Sequence, residues 1–430
     1  MLKCQKIFKL NKIILVLMII FFTAAPIQAQ TEKEIEFWTI NLKNSYQNYF
    51  LNKISQYEAD NPEIKIIWED ISFSSINQQL RYRIAEGNVP EVVNLSPQLM
   101  ASLLKAELLF PISSLDKNYS SSYYPLLWEN GSYQNQYYAF PWYLSSKLMV
   151  FNQEIFKIAG HNPAEIPETK TELFNLAEKI TEKTGVYGLM PQIKIQHEFL
   201  EAGIDLFKVE AGQTKAAFNN QKAVEIIKNY QKLAAEEVIP ADSLSAGFNI
   251  ALERYQNNDL AILFTAPQFL SQIESESVYL NDVTALAAVP TAAEGVINAA
   301  LMNLVIPKGA DHKSEVADFA HFITSAEAQQ EFSQLASVLP SAVIEESAEF
   351  ETEEIILRKK AEESLSSSAQ KILRKQLPRY QDLTLVHPRA DQLIKIMEEQ
   401  FAKAFAGKIT AEAALNIMEE KWNQILAEVD

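Results

Sequence analysis

The sequence predicts an α/β protein in two lobes, with mainly parallel sheets flanked by helices. Short apolar runs alternate with amphipathic helical stretches from residue 35 onward. That βαβ rhythm builds parallel sheets with right-handed crossovers. The same rhythm resumes between residues 153 and 292, after one unusual stretch, 137–152, that reads as a crossover between lobes. The length, 430 residues, suits about two to three domains with a large core.

Residues 1–29 read as a secretory signal peptide rather than as part of the fold. Lys3, Lys6, Lys9 and Lys12 form a positive start, an unbroken apolar run covers residues 13–22, and a small residue, Ala29, stands where a peptidase would cut. The one cysteine, Cys4, lies ahead of the apolar run, so it is no lipid-attachment site. The mature chain is then expected to lack disulfides and cysteine metal sites. Losing four lysines would take its formal charge from −17 to −21, which argues against nucleic acid and anionic lipid as partners.

Taken in order, Ile35 to Thr39 reads as a strand. The helix after it carries Tyr46, Tyr49, Phe50, Ile54 and Tyr57 on one face and ends before Asn61-Pro62. Residues 64–68 form the second strand. Ile76, Leu80 and Ile84 mark a helix stopped by Gly87, residues 92–95 the third strand, and Leu99, Leu103 and Leu104 the next helix. In such sheets ligands sit beyond the carboxyl ends of the strands, so Thr39 to Lys43 and Ser96 to Gln98 are watched first. At the crossover, a strand is expected to end near Phe140, because Pro141 lacks an amide donor, and another to begin near Lys147.

The second lobe opens with Thr169 and Glu172 at capping-box spacing. A helix face at Leu173, Leu176, Ala177 and Ile180 follows, and another at Ala223, Ile227, Tyr230 and Leu233. Residues 260–264 and 283–290 read as strands, and 301–307 as a return strand. Thr324 and Glu327 are expected to open a helix, and 345–378 reads as charged and helical. Two clear amphipathic helices close the chain, the second capped by Thr410.

Most recognisable chemistry is missing. With 11 glycines there is no phosphate-cradling loop, and no Gly-x-Ser-x-Gly elbow occurs. The five histidines show no metal-ligand spacing. No cofactor and no metal are expected. Aromatics are plentiful, with 23 Phe, 16 Tyr and 5 Trp. Trp38, Trp142, Tyr143 and Phe269 fall at expected strand ends or turns, where aromatic faces could stack on sugar rings and core packing competes for each.

The ordered pieces resemble the family 1 extracellular solute-binding proteins of bacterial ABC transporters. Glu86-Gly87-Asn88-Val89-Pro90-Glu91-Val92-Val93 is similar to the family's Gly-x-x-Pro-Asp-Val element, with Glu91 for the usual aspartate. Tyr138-Ala139-Phe140-Pro141 through Phe151-Asn152 looks like its first hinge crossing. Ala159-Gly160 with Ile166-Pro167-Glu168-Thr169, and Asn258 to Ile262 with Ala266-Pro267-Gln268, resemble later segments. Gln268 stands where a stacking tryptophan is common, which argues against a maltodextrin-type ligand.

The resemblance implies a two-lobed clamshell with a hinge crossed more than once. Its divisions would be 30–141 in lobe 1, 142–294 in lobe 2, 295–345 returning to lobe 1 and 346–430 closing lobe 2. It implies a periplasmic monomer that binds a sugar, oligosaccharide or polyol and delivers it to ABC permease subunits, with no chemical step. The implied ligand contacts are Thr39, Asn41, Lys43, Ser96, Gln98, Trp142, Tyr143, Ser145, Gln196, His197, Gln268, Phe269, Met302, Asn303, His387 and Arg389. Stacking would fall to Trp142, Tyr143 and Phe269. Hydroxyl recognition would fall to Asn41, Ser96, Ser145, Gln268 and Asn303. A phosphorylated polyol would instead need a basic cleft built on Lys43, Lys147 and Arg389. An exported carbohydrate-active enzyme would need paired carboxylates, and a sensor subunit would partner a receptor.

Overall fold

The computed structural model describes residues 33–275, 278–291, 295–344, 355–356 and 364–428. The expected signal peptide and most of residues 345–363 lie outside them; of the stretch 345–378 expected to be helical, the described part carries a helix over Leu365–Lys375. Two mixed sheets, each buried between helices, form the two lobes. In the first lobe, β1 (Lys33–Ile40) pairs in parallel with β2 (Ile64–Ile71) and β3 (Val92–Leu95). The chain returns through β4 (Ala139–Ser146), which pairs antiparallel with the later β9 (Ile297–Val305). That strand lies antiparallel against β3. Leu339–Pro340 and Tyr380–Gln381 add short pairs, which completes a seven-stranded sheet.

The second lobe is built on β5 (Leu148–Asn152), β6 (Tyr187–Met190), β7 (Leu260–Thr265) and β8 (Thr284–Ala287). Only β6 and β7 are parallel there; β5 runs antiparallel to both β7 and β8. The expectation of mainly parallel sheets therefore holds for β1 to β3 and fails where strands cross between lobes. Neighbouring strands that carry the chain out of one lobe and back into it run in opposite directions, as β4 and β9 do.

The helices follow their apolar stripes. Helix α1 (Lys43–Asp60) buries Tyr49, Phe50, Ile54 and Tyr57. Helix α2 (Ile76–Glu86) ends at Gly87, whose φ of 72° is the left-handed conformation that glycine adopts freely. Helix α3 (Pro97–Lys105) starts on the Ser96 cap, with proline in its first turn. In the second lobe, α4 (Lys170–Thr184) begins with the expected capping box. Thr169 Oγ1 accepts from Glu172 N–H at 3.2 Å and the Glu172 carboxylate accepts from Thr169 N–H at 3.1 Å. The helix expected to open at Thr324 is α8 (Ala326–Ala336), and its cap is Ser325. Thr324 instead closes α7 (Lys313–Ile323).

The crossover departs from the sequence expectation in an informative way. No ladder breaks at Pro141: β4 runs on from Ala139 to Ser146, and Pro141 stands opposite Asn303. The register then shifts, so that Trp142 and Tyr143 together face the single residue Met302 before Leu144 meets Leu301. This is a β-bulge, which absorbs an extra residue and re-aims side chains. It sends two neighbouring aromatics to one face. Both contact Phe332, with ring centroids 5.9 Å (Trp142) and 5.3 Å (Tyr143) away.

Candidate functional site

A cavity of about 320 Å³ opens where the strands of the second lobe end beside the hinge. Strands β6 and β7 stop at Met190 and Thr265, and Pro191 and Pro267 turn the chain outward. The turns bring Gln192 and Gln268 to the rim. The hinge strands supply Ser145, Lys147, Asn298 and Ala300. Helix α4 presents Lys170 in its first turn, α5 (Ile195–Glu201) presents His197, Glu198 and Glu201, and α6 (Gln221–Ala235) presents Tyr230.

Two of the lysines in this cavity, Lys170 and Lys194, are ion-paired, and the third, Lys147, meets a neutral amide. Lys170 Nζ donates to Glu198 Oε2 at 2.6 Å and Glu201 Oε2 at 2.7 Å. Burial opposes the Lys170 charge, but the two carboxylates outweigh it and raise its pKa. Burial pushes Glu201 above the usual carboxylate value, since two acids share one cation. Lys147 Nζ donates to Gln192 Oε1 at 3.0 Å, and burial lowers its pKa. His197 is pushed down to about 4, mainly by burial and further by the lysines around it. It is neutral at physiological pH.

Facing ends of the first-lobe strands are organised by Asp70. Its carboxylate accepts from Thr39 Oγ1 at 2.7 Å and from the Leu42 and Lys43 amides at 2.9 and 3.0 Å. It thus caps the start of α1, where a carboxylate also complements the helix dipole. Trp68 Nε1 donates to Thr39 Oγ1 at 2.9 Å, and the Lys43 ammonium lies 5.1 Å from the centre of the Trp68 ring.

Of the residues expected from sequence, Ser145, His197 and Gln268 line the cavity, and Ser145 Oγ lies 3.4 Å from Gln268 Oε1. Asn41 and Lys43 are exposed beside β1, and Gln98 is exposed in the first turn of α3. Ser96 is half-buried, its hydroxyl spent on capping. Tyr143 is half-buried at the edge of the first lobe, and Met302 is half-buried opposite it. Thr39, by contrast, is fully buried, its hydroxyl engaged by Asp70 and Trp68.

Several expectations are corrected. Trp142 is 0% exposed and packs between Phe37, Phe50 and Phe332, so it offers no face for stacking. The bulge turns it into the first-lobe core. Asn303 and Gln196 are likewise buried, at 0% and 4% exposure, so neither presents its amide to a ligand. Phe269 packs on Phe248 at 5.0 Å and is not part of the cavity wall. His387 stacks on Phe207 at 5.5 Å and Arg389 lies 3.9 Å from Glu428, also off that wall. Missed were Asp70, Lys170, Gln192, Glu198, Glu201, Tyr230 and Asn298. The one local signal was the capping box, which fixes Lys170 as a first-turn residue; the others are assembled by tertiary contacts.

Known proteins share this fold. A structure of a candidate oligosaccharide periplasmic-binding protein from Synechococcus sp. MITs9220 superposes with a TM-score of 0.74 at 25% identity, covering 92% of this chain and 99% of that one. The sugar-binding protein MalE from Xanthomonas citri superposes at 0.73 with 18% identity, covering 92% and 98%. That likeness shows the two-lobed periplasmic-binding fold. In sequence, the diacetylchitobiose-binding protein DasA of Streptomyces coelicolor is 23% identical over 182 residues, which is 41% of this chain and 42% of DasA. The match therefore spans less than half of that relative. The profile of the family described as bacterial extracellular solute-binding protein matches residues 40–330. With the profile spanning most of the fold just described, this chain is a member of the bacterial extracellular solute-binding protein family.

Proposed function

We propose that the chain captures a neutral sugar, oligosaccharide or polyol in the interlobe cleft and hands it to the membrane subunits of an ABC importer. It would act as an exported, cleaved, periplasmic monomer. The supporting observation is the cavity at the hinge. It holds three lysines (Lys147, Lys170, Lys194) and two glutamates (Glu198, Glu201), the Lys194 charge being met by Glu398 just outside the wall, with amide and hydroxyl groups from Ser145, Gln192, Gln268 and Asn298. Charge-balanced, donor- and acceptor-rich walls suit a ligand that offers many hydroxyls and no net charge. Apolar faces at Leu173, Phe174 and Phe264 complement the C–H faces of a sugar ring.

A phosphorylated polyol fits less well, because of Lys43, Lys147 and Arg389 only Lys147 lines the cavity. Members of the family bind and release; no turnover is expected. Ligand would favour the closed arrangement of the lobes. We place the lobe boundaries where β4 and β9 leave the first sheet, near residues 146 and 297.

Thermal-shift and calorimetric titration against mono- to tetrasaccharides, polyols and glycerol phosphates tests this reading. A neutral sugar at ~100 times its Kd should stabilise by about 2.7 kcal/mol. Gln268→Ala should weaken that sugar tenfold or more. Stabilisation by glycerol phosphates alone would overturn the neutral-ligand assignment.

A further inference from the structure

The first lobe carries a second concavity, of about 820 Å³, lined in part by Asp116, Asn118, Ser121, Trp128, Glu129 and Tyr137. Tyr137 stands two residues before β4, while Ser145 near the other end of that strand lines the hinge cavity. At the rise of an extended strand, roughly 3.3 Å per residue, the two positions are ~25 Å apart. The concavity is therefore separate from the cleft.

Its inner wall is a ladder of rings. Tyr123 stacks on Trp128 at 5.4 Å and 16°, and Trp128 stacks on Tyr137 at 5.2 Å and 28°. The ladder is anchored at both ends. Tyr123 Oη lies 2.6 Å from Thr324 Oγ1, Tyr137 Oη donates to Glu129 Oε1 at 2.7 Å, and the Tyr137 amide donates to Ser113 Oγ at 3.2 Å. Tyr123 and Trp128 are buried, so Tyr137 is the outer, half-buried rung. Among the described residues, neither Asp116 nor Glu129 has a lysine or arginine within 4 Å. Hydroxyls and an amide at Ser120, Ser121 and Asn118 also line the concavity, as does Lys117, whose ammonium is paired with Asp318.

We propose that this concavity is a second carbohydrate-contact site, which seats one pyranose ring on Tyr137. A ring held rigid by the stack behind it gives a flat, preorganised face for sugar C–H groups. The Glu129 carboxylate beside that face has acceptor capacity beyond its bond to Tyr137 and can take sugar hydroxyls. Near-parallel rings distinguish this surface from a cation cage, whose rings surround a point. The site would hold oligosaccharide weakly on the outside of the lobe, in addition to the molecule captured in the cleft.

The test is titration of the whole protein with N,N′-diacetylchitobiose and with maltotetraose, followed by calorimetry and by ligand-observed NMR saturation transfer. The expected result is a weak sugar event, with a Kd on the order of 1 mM for so small a contact, that survives Gln268→Ala in the cleft. Tyr137→Ala should abolish it, Tyr137→Phe should retain it within about threefold, and Glu129→Gln, which keeps the shape, should weaken it at least fivefold. A weak event indifferent to Tyr137→Ala, its absence from the wild-type protein, or competition by choline at equal concentration would overturn the assignment. If sugar binding is lost only in Gln268→Ala, the cleft reading stands and the second site falls.

Discussion

Trp142 and Tyr143 are adjacent in sequence and point to one face, and they do different work. Trp142 fills the first-lobe core; Tyr143 lies against it at the cleft edge, near Tyr46 and Asp70. Trp142→Ala should lower stability by ~3–5 kcal/mol, the usual cost of emptying a large buried site. Tyr143→Ala should leave the urea midpoint closer to wild type and act on ligand affinity. Parallel unfolding and binding titrations separate the two. Sequence alone marks both as aromatics at a strand end. It cannot reveal the bulge, because the bulge depends on how β9, more than 150 residues later, registers against β4. His197 offers a second residue-level outcome. Its pKa falls from 6.5 to about 4 on folding, so the unfolded chain binds more protons between those values. Stability should be complete above pH ~6.5 and should decline as pH falls toward 4, by about 1–3 kcal/mol. His197→Gln should flatten that slope in pH-dependent urea unfolding.

Most legible elements are those with local signals, although the local signals at Thr324 and Pro141 misled. Caps at Thr169 and Thr410 and the stop at Gly87 could be read from neighbouring residues, whereas Ser96, expected to meet ligand, is a cap. Strand direction could not, since it follows from the route of the whole chain between lobes. The Lys170 cluster was illegible for the same reason: its glutamates lie 28 and 31 residues downstream. The packing of α4 on β6 rests on one small residue. A Cβ on Gly188 would come 2.2 Å from the Ala177 carbonyl oxygen, which is backbone and cannot swing away. Gly188→Ala should therefore push α4 off its strand and cost about 1–3 kcal/mol, as overpacking does. Because Lys170 rides on that helix, ligand affinity should fall with it, whereas Gly131→Ala, whose nearest contacts are 3.2 Å away, should be milder. Chemical denaturation with calorimetry on both variants checks the pair.

For the whole molecule, the expected consequence of binding is closure of the lobes about the crossing strands. Small-angle scattering should show a smaller radius of gyration at saturating sugar, and no change for Gln268→Ala at the same sugar concentration. An unaltered profile in the wild-type protein under conditions of proven binding would mean that capture does not move the lobes.

The route of the chain also dictates when the first lobe can exist. Its core is closed by late residues: Tyr49 Oη donates to the Ala328 carbonyl, Lys53 pairs with Glu331, and Gln329 accepts from the Ser341 amide. Between those partners comes most of the second lobe. During synthesis the first hundred-odd residues must wait, unsealed, until more than three hundred have been made. A nascent chain so arranged reaches any translocation channel still threadable, and the topology that makes the hinge also delays the fold.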